Sequence, residues 1–245
     1  MRRQWVIEGQ LWSGEEILGK GISIVIMHGW GRSGVEWVEM GKHLNQITGR
    51  TVYVLDLPGF GGSNLPKVNT IEEYAGLVGR WLEYLKIRRV SLVGHSLGGR
   101  VGIVLSGQYP EKVEKLVLID PAGVRPKSIK RLGLKLVAKL MAWIPQEWRR
   151  CVVGKMMDED YRRSPPLREL YRAVVAADLR KYLPQIYART WVIWGERDSL
   201  LPLALTDVYK KLLPHPTVRV IWEAGHDPHL THPRELTRLL EEIWI

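Results

Sequence analysis

The chain has 245 residues, 45% apolar and 25% charged, long enough for one large domain, or one domain with an insert, to bury its own core without disulfides or a structural metal. Its single cysteine, Cys151, rules out an intramolecular bridge, a cysteine zinc site and a C-x-x-C redox pair. The net charge of +10 raises nucleic acid as a partner, but positions 121–189 carry sixteen basic and six acidic side chains, so the rest of the chain is neutral, and no base-reading motif or stacking platform accompanies the basic stretch.

The N-terminal run 4–20 reads as a hairpin turning at Ser13 and Gly14. Glu8 and Gln10 interrupt any apolar run there, so no signal peptide is expected. No segment approaches 18 uninterrupted apolar residues, and the cytoplasm is the expected location. Short β-branched or apolar runs bounded by glycine or proline then predict buried strands over 21–28, 51–55, 90–94, 115–120, 190–195 and 217–222. Helical patterns lie between them at 34–47, 70–86, 97–109, 203–213 and 233–243, with Thr70 and Glu73 spaced as a capping box. Near-continuous apolarity in the strands and their alternation with helices predict an α/β fold. Its core is a doubly wound, mostly parallel sheet covered on both faces.

Between 121 and 189 the alternation stops and the pattern is helical. This strongly basic stretch is the expected helical cap, inserted into a core made of 1–120 and 190–245. A helix over 129–144 sets Arg131, Lys135 and Lys139 on one face and Leu132, Leu136, Val137, Leu140 and Ile144 on another, with Trp143 and Trp148 close by. Such a helix packs its apolar side on the core with its lysines solvated. The alternative is contact with an anionic lipid surface or steering of an anionic substrate, with Trp143 in the substrate pocket.

The chemistry-bearing motifs sit at strand ends. Gly94-His95-Ser96-Leu97-Gly98-Gly99 follows a strand and opens a helix, the context in which G-x-S-x-G projects a nucleophilic serine above a sheet. Serine needs a base to take its proton and a carboxylate to orient that base. In chain order the acid should follow, and Asp198 lies just past the strand ending at Trp194; Glu196 and Asp120 are its rivals. The base should come from the loop after the last strand, where Ala224-Gly225-His226 stands. His229 and His232 read as structural, and His95 should diverge from Ser96 at a tight elbow. His28-Gly29-Trp30-Gly31 can set the Trp30 amide beside that of Leu97 as an oxyanion hole. His28 would anchor that loop, and Trp30 would double as a pocket wall.

With these motifs in place, and with Asp56-Leu57-Pro58-Gly59-Phe60-Gly61-Gly62-Ser63 after the second central strand, the chain resembles the α/β-hydrolases that carry a helical cap, a group that includes bacterial carboxylesterases and carbon-carbon bond hydrolases. The resemblance implies a Ser96, Asp198, His226 triad, an acyl-enzyme intermediate on a small ester substrate, and no cofactor or metal. Serine at 96 disfavours the relatives with an aspartate nucleophile. His95 and Asp227 stand where similar carbon-carbon hydrolases carry Asn and Trp. Gly98-Gly99-Arg100-Val101 resembles the elbow of the menaquinone-pathway synthase that eliminates pyruvate, so Arg100 is a candidate substrate contact and a lyase or carbon-carbon hydrolase acting on an anionic substrate stays open. A non-catalytic ligand-binding protein on the same fold is the alternative of another class.

Overall fold

The computed structural model describes residues 1–124 and 165–244. Eight strands form one sheet: β1 (Arg2–Ile7), β2 (Gln10–Ile17), β3 (Ser23–Met27), β4 (Val52–Asp56), β5 (Val90–His95), β6 (Val113–Ile119), β7 (Arg189–Gly195) and β8 (Pro216–Ile221). Their order is β1-β2-β4-β3-β5-β6-β7-β8. β1 and β2 pair antiparallel, as do β2 and β4, and every other neighbour is parallel.

Side-chain alternation explains the unbroken apolarity of the central strands. In β3, Val25 and Met27 face one core, shared with helices α2 (Ile71–Tyr84) and α3 (Leu97–Gln108). Ile24 and Ile26 face the other, shared with α1 (Val38–Thr48) and the C-terminal helix, Pro233–Trp244. β4 and β6 divide the same way: Leu55, Leu116 and Leu118 point to the first core, Val54, Val117 and Ile119 to the second. A sheet buried on both faces has no polar positions to offer. Edge strand β1 differs, with Arg2, Arg3 and Gln4 all exposed, charges of the kind that block edge-to-edge association.

The hairpin turn is not at Ser13 and Gly14. Chain reversal occurs at Glu8 and Gly9, both at positive φ (51° and 74°), while Ser13 and Gly14 lie within β2, paired with Asp56 and Leu55. Gly14 serves close packing instead: a Cβ there would sit 2.6 Å from the Val54 carbonyl oxygen. Without cross-strand partners in view, a Ser-Gly pair at a contact and a Ser-Gly pair at a turn look alike. The expected cap at the start of α2 forms in part. Thr70 Oγ1 accepts from the Glu73 amide at 3.1 Å, but Glu73 Oε2 reaches the amide of Asn69, one residue before the cap.

Within 165–188 only helical turns occur: Pro165–Leu167, helix α4 (Arg168–Ala176), Leu179–Lys181 and Leu183–Gln185. Leu170 and Val174, one turn apart on α4, and Leu179 and Leu183 beyond it are buried in the α2/α3 core, while Arg168, Glu169 and Arg172 are exposed. β7 begins at Arg189. The sequence-predicted helix over 129–144, including Trp143, lies outside the described residues.

Candidate active site

The candidate residues gather at the carboxyl ends of the parallel strands, where an open α/β sheet leaves its crevice. Ser96 follows β5 with φ 48° and ψ −103°, a strained backbone that for a non-glycine residue costs on the order of 1–3 kcal/mol. Surrounding hydrogen bonds hold it: the Ser96 amide donates to Ile119 O at 3.1 Å, the Gly98 amide to His28 O at 3.1 Å and the Arg100 amide to Ser96 O at 3.1 Å. Glycine is required at 98 because a Cβ would lie 2.2 Å from the Met27 carbonyl oxygen. α3 can therefore start hard against β3 and lift the serine.

His226 Nε2 lies 3.1 Å from Ser96 Oγ, and His226 Nδ1 lies 2.7 Å from Asp198 Oδ2. The second Asp198 oxygen accepts from the amides of Leu200 and Leu201, each at 2.8 Å. Three donors converge on this one buried carboxylate. With Asp198 accepting from Nδ1–H, the lone pair on Nε2 faces the serine.

Of the two rival acids, Glu196 turns outward and accepts from the Glu223 amide at 3.0 Å. Asp120 is nearer: single ligating atoms of Asp120, Asp198 and His226 all lie within 4.8 Å of one another. Asp120 is fully buried, its Oδ1 accepts from the Gly195 amide at 2.8 Å, and its Oδ2 has no partner. Burial and the neighbouring Asp198 raise its pKa to about 9, against the Gly195 hydrogen bond that lowers it.

His95 diverges from the nucleophile. Its Nε2 donates to the His226 carbonyl at 2.8 Å, and its Nδ1 is buried without a partner. Burial first, then the neighbouring His229 and His226, hold its pKa well below the usual histidine range, so it stays neutral and braces the backbone of residue 226.

The loop after β3 is fixed from several sides. His28 Nδ1 donates to the Gly29 carbonyl at 2.6 Å and its Nε2 accepts from the Leu57 amide at 2.9 Å; burial lowers its pKa to about 4, which keeps the ring neutral. Asp56 accepts from the Gly34 and Gly62 amides at 2.8 and 2.9 Å and from Arg2 at 2.6 Å, tying the loops after β3 and β4 to the edge strand. Arg32 reaches Asp227 at 2.5 Å and Glu36 at 3.3 Å, joining the loop after β3 to the residue after His226. Neither the Trp30 nor the Leu97 N–H donates to another described residue, and both residues border the cleft above Ser96.

That cleft encloses about 220 Å³ and is lined by Trp30, Leu97, Tyr171, Val174, Leu200 and Leu201 together with Ser96 and His226. Trp30 meets Phe60 and Tyr171 edge-on at 5.1 and 4.9 Å. Arg100 also borders it, but its Nη1 donates to the carbonyls of Val174 at 2.6 Å and Ala177 at 3.3 Å. A buried cation thus meets the negative end of α4. The reading of the sequence missed Arg32, Asp56, Tyr171 and the Arg100 contact to α4. Asp56 lies in a glycine-rich motif and Arg32 directly follows the His-Gly-Trp-Gly run, which were the available signals; the 195-residue separation of Arg32 and Asp227 left no local one.

A second group, His95, Asp227 and His229, also brings ligating atoms within 4.8 Å. Part of the group is engaged, Asp227 Oδ2 by Arg32, His95 Nε2 by the His226 carbonyl and His229 Nε2 by Glu36 at 3.3 Å, while His95 Nδ1 and His229 Nδ1 are buried without a partner.

Residues 24–239 match the family described as the alpha/beta hydrolase family. An abhydrolase domain-containing protein of Caenorhabditis elegans is 32% identical over 142 residues, covering 55% of this chain and 31% of its own, so the match spans about a third of that relative. A pimeloyl-[acyl-carrier protein] methyl ester esterase of Aeromonas hydrophila is 24% identical over 251 residues, covering 93% of this chain and 97% of its own. Among solved structures, the enol-lactonase of Burkholderia xenovorans LB400 superposes with a TM-score of 0.76 at 22% identity, covering 98% of each chain. The family match takes in every strand from β3 to β8 and the loops that carry Ser96, Asp198 and His226, and the chain belongs to the alpha/beta hydrolase family.

Proposed function

We propose that the protein is a cofactor-independent serine hydrolase that cleaves small carboxylic esters through an acyl-enzyme intermediate, with Ser96 as nucleophile, His226 as base and Asp198 as orienting acid. One observation carries the reading: hydroxyl, imidazole and carboxylate stand in hydrogen-bonding sequence at 3.1 and 2.7 Å, beside a largely apolar cleft. The Aeromonas relative, a methyl ester esterase by name, works on the same class of bond. Residues 121–189 are assigned as a cap on a core of 1–120 and 190–245, with Trp30, Arg100 and Trp143 as substrate contacts, and the cytoplasm as the place of work.

In the first half-reaction Ser96 Oγ attacks the ester carbonyl while His226 Nε2 takes its proton. The developing oxyanion is met by the Trp30 and Leu97 amides, donors set in place before the charge appears. Asp198 stabilises the imidazolium and keeps the proton on Nδ1. His226 then protonates the leaving alcohol, leaving Ser96 acylated. In the second half-reaction water gives a proton to His226, attacks the acyl carbonyl, and the acid leaves as Ser96 recovers its hydrogen.

The test is hydrolysis of a nitrophenyl ester series from acetate to long acyl chains by wild type and Ser96→Ala. Turnover by wild type that is lost in the variant supports the assignment, and the chain-length profile sizes the cleft. Equal activity in both, or none in wild type, overturns it.

A further inference from the structure

The reaction just described uses one carboxylate, yet two lie beside His226. Asp120 follows β6, Asp198 follows β7, and a single atom of each lies within 4.8 Å of the other and of His226. Asp120 is held there firmly. Its backbone sits at φ 41°, its amide donates to Ile193 O at 2.9 Å and its Oδ1 accepts from the Gly195 amide at 2.8 Å. Its Oδ2 is buried with no donor to accept from, and the Asp198 carboxylate is its neighbour. An ionised carboxylate in that position would carry an unsatisfied buried oxygen and repel a second carboxylate, two large costs at one atom. A proton on Oδ2 removes both, because the orphan acceptor becomes a donor aimed at an anion.

We propose that Asp120 is an un-ionised acid at neutral pH that donates from Oδ2 to the Asp198 carboxylate, which makes it a positioning residue for the acid of the Ser96, His226, Asp198 relay. This rests on the triad reading above. The charged and titratable groups around Asp120 are Asp198 from the loop after β7 and His226 and Asp227 from the loop after β8; no Lys or Arg is paired with it among the described residues. Burial favours retention of the proton, and the two neighbouring anions, Asp198 and Asp227, act in the same direction. The shared proton leaves a single net negative charge to balance one imidazolium, and it adds a donor to Asp198 besides His226 and the Leu200 and Leu201 amides. Loss of that proton at alkaline pH would place a second anion beside the first and release Asp198 from one side.

The test compares wild type with Asp120→Asn, an isostere that keeps an acceptor for the Gly195 amide and a donor for Asp198 but does not titrate. Asparagine also tolerates a positive φ. Two readouts are taken across pH 5 to 10: the thermal midpoint, and kcat/KM on a nitrophenyl ester. The Tm of wild type is expected to fall relative to the variant as pH rises, because only wild type must keep a carboxyl protonated in the folded state. Wild-type kcat/KM is expected to drop on the alkaline side by about tenfold per pH unit beyond the titration, and the variant to lose that limb while staying within a few-fold of wild type at pH 7. Parallel Tm curves, or an alkaline limb unchanged in the variant, overturn the proposal. If Asp120→Asn does not fold, infrared spectra of wild type decide: a protonated-carboxyl band persisting at pH 7 and lost at pH 10 supports the proposal, and its absence at pH 7 refutes it. The melts do not depend on turnover. Failure of the esterase reading with Ser96→Ala and failure of the Asp120 assignment are therefore separate results.

Discussion

Asp198 does two jobs with two oxygens, and asparagine at that position separates them. Oδ1 accepts from the Leu200 and Leu201 amides at 2.8 Å, and Oδ2 accepts from His226 Nδ1 at 2.7 Å. In Asp198→Asn the carbonyl oxygen can keep the two amides, so the loop after β7 should hold its shape. The amide NH₂ then faces His226 Nδ1, which must turn acceptor and move its hydrogen to Nε2, where Ser96 needs a lone pair. The wrong tautomer of a serine-hydrolase histidine lowers kcat by about 10⁴, roughly 5 kcal/mol of transition-state stabilisation at 1.36 kcal/mol per decade. Asp198→Ala strands the same histidine and also leaves two amides without an acceptor, at about 1–3 kcal/mol each. The two variants should therefore be equally poor catalysts but differ in stability, alanine being lower by about 2–6 kcal/mol. Steady-state kinetics on a nitrophenyl ester and urea melts of both variants measure this. An asparagine variant that keeps more than a tenth of wild-type kcat would refute the reasoning and point to Asp120 as the orienting acid.

Two further outcomes follow from the geometry. Gly98→Ala should lose several kcal/mol of stability, because its Cβ would lie 2.2 Å from the Met27 carbonyl oxygen and a packed strand has no room to yield; a melt within about 1 kcal/mol of wild type would show that α3 can slide away from β3. His28 is fully buried and its pKa is lowered to about 4 from 6.5, so the unfolded chain binds its proton first as pH falls. Its neutral form contributes stability that is whole above pH 6.5 and drains away down to about pH 4. The loss is roughly 3 kcal/mol at 1.36 kcal/mol per pH unit. Comparing denaturation midpoints at pH 7 and pH 4.5 for wild type and His28→Gln tests this, and an equal acid loss in both would exclude His28 as its source.

Much of the site was legible because its members sit in local patterns. A serine between glycines at a strand-to-helix junction has one geometry open to it, and Ser96 takes it, at φ 48°. His226 stands in a short loop after the last strand, so the sheet order alone brings it to the same edge. Asp198 was harder to separate from its rivals, since Glu196 lies two residues away and Asp120 also ends a strand. Only the placed side chains set Glu196 against the Glu223 amide and Asp120 beside both Asp198 and His226. Arg100 shows the opposite difficulty. It lies in the motif and borders the cleft, yet its Nη1 is held by two carbonyls at the end of α4, more than seventy residues on.

The sequence by itself determined the sheet and its two cores, because strands buried on both faces admit only apolar residues and helices between them only one apolar stripe. It also determined the elbow and the loops that bear the candidate triad. The tertiary structure decided which polar groups meet: the hairpin turn at Glu8 and Gly9 rather than at Ser13 and Gly14, the Arg32 to Asp227 tie, and the two neighbouring carboxyls at His226. The physical reason is one of range. Hydrophobic periodicity is written into neighbouring residues, whereas a hydrogen bond or an ion pair is satisfied by whatever the fold brings within about 3 Å, however far away in the chain it began.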